Sequence, residues 1–382
     1  MTPAELSRTV LTTVRRAVAA EELRVAVPEK IVVQRPPRPG RGDYATNVAL
    51  QLAGAAGATP YQVAEILSRR LKEEPGIAQV EIAGPGFLNI TLNATAYGDV
   101  VRQVRAQGAE YGRGDGLAGE TVGVAADPDD VRGTVVAEVV ARLARAAGAS
   151  IAGEPAGERA GEREAGDPLV LAPGPPAGEP LVVAPASPAG DPPASTPAPE
   201  PLLLAPDPLV VAPAPALQTP LGPDELRWAL LRPPAEDVPR LTAHLLVQRE
   251  SNPLFRIRYA HARTRALLRN AHDLGVRPDA ETETPHTPAY HHPAETELLG
   301  LIADFPRVIE TAARRRAPDR LARHLERLAD AFFRFHDECP PLPKGDEKPS
   351  AVHAARIRLA DATGIVLAAG LHLLGITAPE RL

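Results

Sequence analysis

Apolar residues recur at helical spacing at both ends of this chain, with short strand-like runs between them. Leu6, Val10, Val14 and Ala17 fall on one face of a first helix. Thr2-Pro3-Ala4-Glu5 opens it as a capping box with Pro at the first helical position. A short strand is expected over Lys30 to Gln34, then a Pro/Gly loop and a helix opening near Asp43. Thr59-Pro60 announces a further helix, an N-cap followed by Pro at N1. Val80-Glu81-Ile82, the turn Gly84-Pro85-Gly86 and Phe87 to Leu92 predict a hairpin. From Pro223 onward the pattern is helical to the end. A helix over about 252–271 places Ile257, Ala260, His261, Thr264, Leu267 and Leu268 on one stripe. Leu321, Leu325, Leu328, Phe332 and Phe335 mark another, and Ile357, Val366, Leu367, Leu371 and Leu374 the last.

Composition changes this picture in the middle. The chain has 382 residues and 43 prolines, and 18 of the prolines fall within residues 151–220. Proline lacks the N–H that helices and sheets use, so that segment reads as a disordered Pro/Ala-rich linker. It repeats an acidic-Pro, three-aliphatic, Ala-Pro pattern, as in Asp167 to Pro173 and Asp207 to Pro213. Each run is short and bracketed by prolines, which favours extended or polyproline II conformation. The runs serve either as a spacer or as short motifs for a protein partner. Net charge is 0 over residues 1–150, −7 over 151–222 and +1 over 223–382. Neither end is a basic domain that would coat nucleic acid indiscriminately, so any RNA contact must come from local patches. The single cysteine, Cys339, excludes a disulfide framework and a cysteine-based zinc site. With no signal peptide and no long apolar run, a cytoplasmic protein without membrane contact is expected.

Two segments carry a resemblance. Gly42-Asp43-Tyr44-Ala45-Thr46-Asn47-Val48-Ala49-Leu50 is similar to the N-terminal additional domain of arginyl-tRNA synthetases. Asn252 to Arg263 and the terminal Ala378-Pro379-Glu380-Arg381-Leu382 resemble that family's anticodon-binding helical domain, the DALR domain. Thr121-Val122-Gly123-Val124-Ala125 and Arg132 to Leu143 look like the first strand of the catalytic fold and the helix after its ATP-binding motif. The resemblance implies a multidomain chain. Residues 1–110 would form a small α/β domain, 111–150 a remnant of a Rossmann-like catalytic fold, 151–220 the linker, and 221–382 an all-α anticodon-binding bundle.

The chemistry of the family is missing its residues. Asp127-Pro128-Asp129-Asp130 stands where the family carries a turn ending in His-x-Gly-His, and carboxylates repel phosphate at close range. All ten histidines lie at or beyond His244, Met1 is the sole methionine, and the four lysines are Lys30, Lys72, Lys344 and Lys348. Neither ATP motif of the family can be assembled from these, and no P-loop is present. A non-catalytic paralogue is therefore expected, holding no cofactor and no metal. It would grip a tRNA, by resemblance the arginine acceptor, at the D-loop and the anticodon arm. The linker would give reach between the two grips. The alternative is an adaptor that binds a full-length synthetase or another protein, with tRNA contact vestigial.

Candidate contacts follow. By resemblance, Phe87 and Asn89 meet the D-loop, the aromatic by stacking and the amide by reading a base edge; the structural alternative is a core Phe87 and a turn or edge Asn89. For the anticodon arm the candidates are Arg258, Tyr259, Arg263, Arg265, Arg269 and Leu382. Arg258, Arg265 and Arg269 share a helix face, as a phosphate-binding stripe or as a solvated one. Arg314-Arg315-Arg316 either complements a helix C-terminus or adds an RNA contact. Asp127, Asp129 and Asp130 read as helix N-capping in preference to a magnesium site. His286, His291 and His292 lack the convergence that metal binding needs.

Overall fold

The computed structural model describes residues 1–36, 42–127, 129–152, 221–278 and 290–382. The linker repeats, Pro128 and His286 lie outside the described residues. Helix α1 (Pro3–Ala19) starts with the expected reciprocal cap between Thr2 and Glu5, and its stripe from Leu6 to Ala17 is fully buried. Strands β1 (Val33–Gln34) and β2 (Tyr44–Thr46) follow, then α2 (Val48–Ala56), α3 (Pro60–Leu71), β3 (Ile77–Ala83) and β4 (Phe87–Leu92). The strands form one antiparallel sheet in the order β1-β2-β4-β3. The helix expected to open at Asp43 opens instead at Val48. Asp43 stands just before β2 and is tied to β4, because its N–H donates to the Ile90 carbonyl at 2.9 Å and its carboxylate accepts from the Leu92 N–H at 2.7 Å. The hairpin closes through Gly86 at φ 150°, which lies so close to Pro60 that a Cβ would stand 2.9 Å from it.

Helix α4 (Ala94–Gln107) leads to β5 (Thr121–Val122), α5 (Val131–Ala146) and β6 (Ser150–Ile151), and β5 pairs with β6 in parallel. Beyond the undescribed segment come α6 (Pro223–Leu231), α7 (Pro253–Asp273), α8 (Pro293–Arg314), α9 (Asp319–Glu338) and α10 (Ala351–Leu373). The stripes read from the sequence on α7, α9 and α10 form the bundle core. Each fully buried Leu or Phe there contributes roughly 1.5–3 kcal/mol.

The N-terminal part packs directly on the bundle. Tyr111 donates to the Ile302 carbonyl at 3.1 Å and stacks on Phe305, and Arg105 pairs with Asp361 at 2.9 Å. Arg35 lies 3.2 Å from Asp304, and its guanidinium occupies the space a side chain at Gly300 would need. The two ends that the linker joins in sequence therefore also meet directly. Ile151 lies in the main core, and Leu221 packs at the edge of a second, small cluster of Ala229, Leu230 and Leu241.

Arg132 joins α5 to the bundle. It is 1% exposed, and its five donors meet five backbone carbonyls. Nε reaches Leu230 at 3.1 Å, Nη1 reaches Ala235 and Asp237 at 3.3 and 2.8 Å, and Nη2 reaches Pro233 and Pro234 at 3.2 and 2.8 Å. Arg232 is still helical in conformation, and Pro233 ends α6 because it has no N–H to continue the helical hydrogen bonds; the two prolines bring no donor of their own. Arg132 supplies the missing donors. Replacing Arg132 with Met is expected to cost roughly 3–5 kcal/mol by stranding these carbonyls. Urea unfolding followed by circular dichroism checks it, with the exposed Arg8→Ala as a variant that leaves the midpoint in place.

His324 on α9 is buried against Phe305, with Nε2 lacking a hydrogen-bond partner. Burial, aided by Arg327, Arg307 and Arg35, pushes its pKa from 6.5 down to about 3, against a hydrogen bond to the Leu301 backbone. The unfolded chain takes up this proton near pH 6.5 and the folded chain only near 3. The stabilisation is thus fully present above pH 6.5 and is lost as pH falls toward 3. Thermal melts of His324→Gln should show a shallower loss of stability between pH 6 and pH 4 than the parent.

Candidate nucleic-acid interface

Two surfaces carry the residues singled out by the sequence. The first is one face of the sheet. Side chains alternate along β4, so Leu88, Ile90 and Leu92 enter the core while Phe87, Asn89 and Thr91 take the opposite face. Phe87 is 40% exposed, which removes the core alternative for it. Asn89 sits in an inner strand, paired with Ala45 on β2 and Glu81 on β3, and is 7% exposed. It is neither a turn nor an edge residue, and its amide is largely covered.

The second surface is the exposed side of α7 with the C-terminal tail. Residues one apart on a helix differ by about 100°, and the arginines of α7 accordingly divide. Arg258 turns inward to Asp224 and Glu225 at the start of α6, bonding Glu225 at 3.0 Å and Thr377 at 3.1 Å. Its side chain is 16% exposed, and burial lowers its pKa. Arg265 pairs with Glu380 of the tail at 3.2 Å. His261 Nδ1 donates to the Pro379 carbonyl at 2.9 Å, and Thr377 bonds the Asp224 carboxylate. Arg258 is thus largely withdrawn from solvent, Arg265 is half-exposed in a surface ion pair with the tail, and Arg269 is exposed. The sequence signal for this was the Asp224-Glu225 pair, which stands where α6 presents its positive end.

Around the helix lies an aromatic stack. Tyr259 is exposed and parallel to Phe255 and Phe333, with centroids 5.8 and 5.6 Å away, and Arg256 lies over Phe333 at 4.8 Å. Arg263, one turn beyond Tyr259, is exposed and reaches His336 Nε2 at 3.4 Å. Leu382 ends the chain at 59% exposure. Sequence reasoning missed Phe333 and His336, which α9 brings to α7 from more than 70 residues away.

Other candidates have structural roles. Arg314 pairs with Glu310 and Glu120, at 2.9 and 3.1 Å. His292 caps α8, accepting from the Ala294 N–H, and the Glu295 carboxylate closes the box. Asp130 occupies the N-cap position of α5 without a side-chain cap bond, while Asp127 accepts from the Asp129 N–H at 3.0 Å. Burial pushes the Cys339 thiol up to about 11, away from nucleophilic use. Among the described residues no cluster of three or more His, Cys, Asp or Glu is placed to hold a metal, and no helix is long and apolar enough to cross a membrane.

Residues 7–92 match the arginyl tRNA synthetase N terminal domain and residues 257–382 the DALR anticodon binding domain. The sheet surface and the α7 surface each fall within one of these matches, so the architecture is of synthetase type. Over its full length the chain is 30% identical to the arginine–tRNA ligases of Frankia alni and Renibacterium salmoninarum, with the whole of each relative covered. The chain belongs to the arginine–tRNA ligase family. Its alignment with the Frankia relative runs over 554 positions against 382 residues here, so that relative carries stretches with no counterpart in this chain. A solved arginyl-tRNA synthetase of Thermus thermophilus shares the fold, with a TM-score of 0.62 at 14% identity and both chains fully covered.

Exchanging Arg258 for Ala is expected to lower the melting temperature by several degrees and expose the tail to carboxypeptidase, since two carboxylates lose their partner. Arg269→Ala should leave both unchanged.

Proposed function

We propose that this chain is a non-catalytic tRNA-binding member of the arginine–tRNA ligase family, acting through the sheet face around Phe87 and Asn89 and the α7 surface around Tyr259, Arg263 and Arg269. The observation that carries the reading is the N-terminal end of α5. By resemblance this is where nucleotide phosphates would be received, and it presents Asp127, Asp129 and Asp130. Arg132, in the first turn of α5, has all five donors engaged by carbonyls of the 230–237 segment. Phosphoryl chemistry needs positive groups aimed at the charge that develops, and here the local charge is negative.

In this reading β5, α5 and β6 are the remnant of the catalytic fold. The remnant is retained because Arg132 and the α5–α8 packing make it part of the bundle's core. The 153–220 segment replaces the bulk of the lost domain, and the division at 110, 150 and 220 follows from it. The D-loop would meet Phe87 by stacking, with Asn89 beside it. The anticodon arm would meet Tyr259 and the two exposed arginines, with Leu382 and the clamped tail alongside. Arginine tRNA is the expected ligand, in the cytoplasm.

Two measurements test this together. Arginine-dependent ATP–pyrophosphate exchange should stay at background, and arginine tRNA should bind in preference to a non-cognate tRNA with affinity falling as salt rises. Arg263→Ala and Arg269→Ala should each reduce the salt slope by about 1, and Tyr259→Ala should weaken binding by roughly 1–3 kcal/mol. Exchange above background ends the non-catalytic reading. No binding at low salt ends the tRNA reading and moves support to an adaptor that contacts protein.

A further inference from the structure

A cavity of about 530 Å³ opens between the end of α6, the C-terminal half of α8 and the N-terminal half of α9. Its lining includes Arg232, Arg307, Arg320, Arg323 and Arg327, with Glu326 as the one acid. Neither surface described above includes these residues. Arg320, Arg323 and Arg327 stand at i, i+3 and i+7 on α9 and so share a face. Arg320 lies in the first turn of that helix, at the positive end of its dipole, where a cation is disfavoured.

The carboxylates present do not balance them. Arg232 forms a two-pronged pair with Glu326 at 2.9 and 3.1 Å, Arg307 lies 3.3 Å from Asp304, and Arg323 lies 3.2 Å from Asp319. Arg320 and Arg327 touch no carboxylate among the described residues, and the Arg327 Nε–H donates only to the Arg323 carbonyl at 3.4 Å. Asp304 is shared with Arg35, so the five lining guanidiniums exceed the three carboxylates paired with them by at least two charges. The Arg307 Nε–H is buried without a hydrogen-bond partner.

We infer that this cavity is a binding site for phosphate oxyanions, with Arg320 and Arg327 as its primary ligands and Arg307 and Arg323 in support. Guanidinium forks match phosphate oxygens two at a time, and several converging forks select a group with more than one charge. The volume exceeds that of a single phosphate and lies in the range of small-molecule sites, which suits either a polyphosphate group or consecutive phosphates of an RNA strand. Both sources present the same chemistry to the arginines.

The experiment uses the full chain and two probes, inorganic tripolyphosphate by titration calorimetry at low salt and arginine tRNA over a salt series. Because Arg320 and Arg327 are exposed and unpaired with carboxylates, R320A/R327A should fold with an unchanged melting temperature. It should bind tripolyphosphate at least tenfold more weakly than the parent, and R320K/R327K should recover part of the loss. A fall of about 2 in the tRNA salt slope of R320A/R327A identifies RNA backbone as the source. Lost tripolyphosphate binding with an unchanged tRNA slope identifies a free phosphorylated compound. If R320A/R327A binds both probes as the parent does, or if the parent binds no tripolyphosphate and the tRNA slope is unmoved, the site is overturned. Arg263 and Arg269 are untouched in these variants, so failure here is separable from failure of tRNA binding through α7.

Discussion

The buried guanidinium of Arg132 is the constraint on which the arrangement of this chain turns. The segment after α6 is rich in proline and short of N–H donors for its own carbonyls, although Pro234 also accepts from the Asp237 N–H at 3.1 Å. An arginine has five donors in a fixed plane, and five carbonyls fold around it. Burying a cation is unfavourable unless its hydrogen bonds are complete, and here they are. The consequence is mechanical. Helix α5 is held to α6, α5 packs on α8, and a short β-α-β unit becomes part of the bundle.

That joint also explains how the sheet domain sits. Tyr111, Arg105 and Arg35 reach α8 and α10 directly, and Gly300 lacks a side chain where Arg35 comes down. The two candidate surfaces are consequently fixed on one body, with spacing set by packing. The interface is only partly settled electrostatically. Arg35 approaches Asp304 at ion-pair distance without hydrogen-bond alignment, and His324 is kept neutral by burial beside three arginines.

Arginine accounts for most of the positive charge in this chain, and its members divide by partner. Arg258 and Arg265 are held by carboxylates that anchor α6 and the tail, and Arg314 ties α8 to the residues before β5. Arg263, Arg269, Arg320 and Arg327 have no carboxylate beside them among the described residues. A helical-wheel projection cannot make this division, because the carboxylates come from elsewhere in the chain. Asp224 is 34 residues from Arg258, and Thr377 is 119 away.

What the sequence determined by itself is local. The caps at Thr2 and Thr59, the hairpin at Gly84-Pro85-Gly86 and the buried stripes of α7, α9 and α10 were legible because period and capping chemistry depend on neighbours a few residues apart. The family was legible for a related reason, since its motifs are short and contiguous. Tertiary structure alone decided which side chains remained available. Phe87 projects outward and Asn89 is covered because β4 is an inner strand flanked by β2 and β3. Asp43 was held at the edge of β2 because β4 offered it backbone partners that a helix could not. Arg258 was withdrawn from solvent because α6 and the tail converge on it. Each outcome depends on contacts between distant segments, whose free energies are fixed by geometry that no local pattern records.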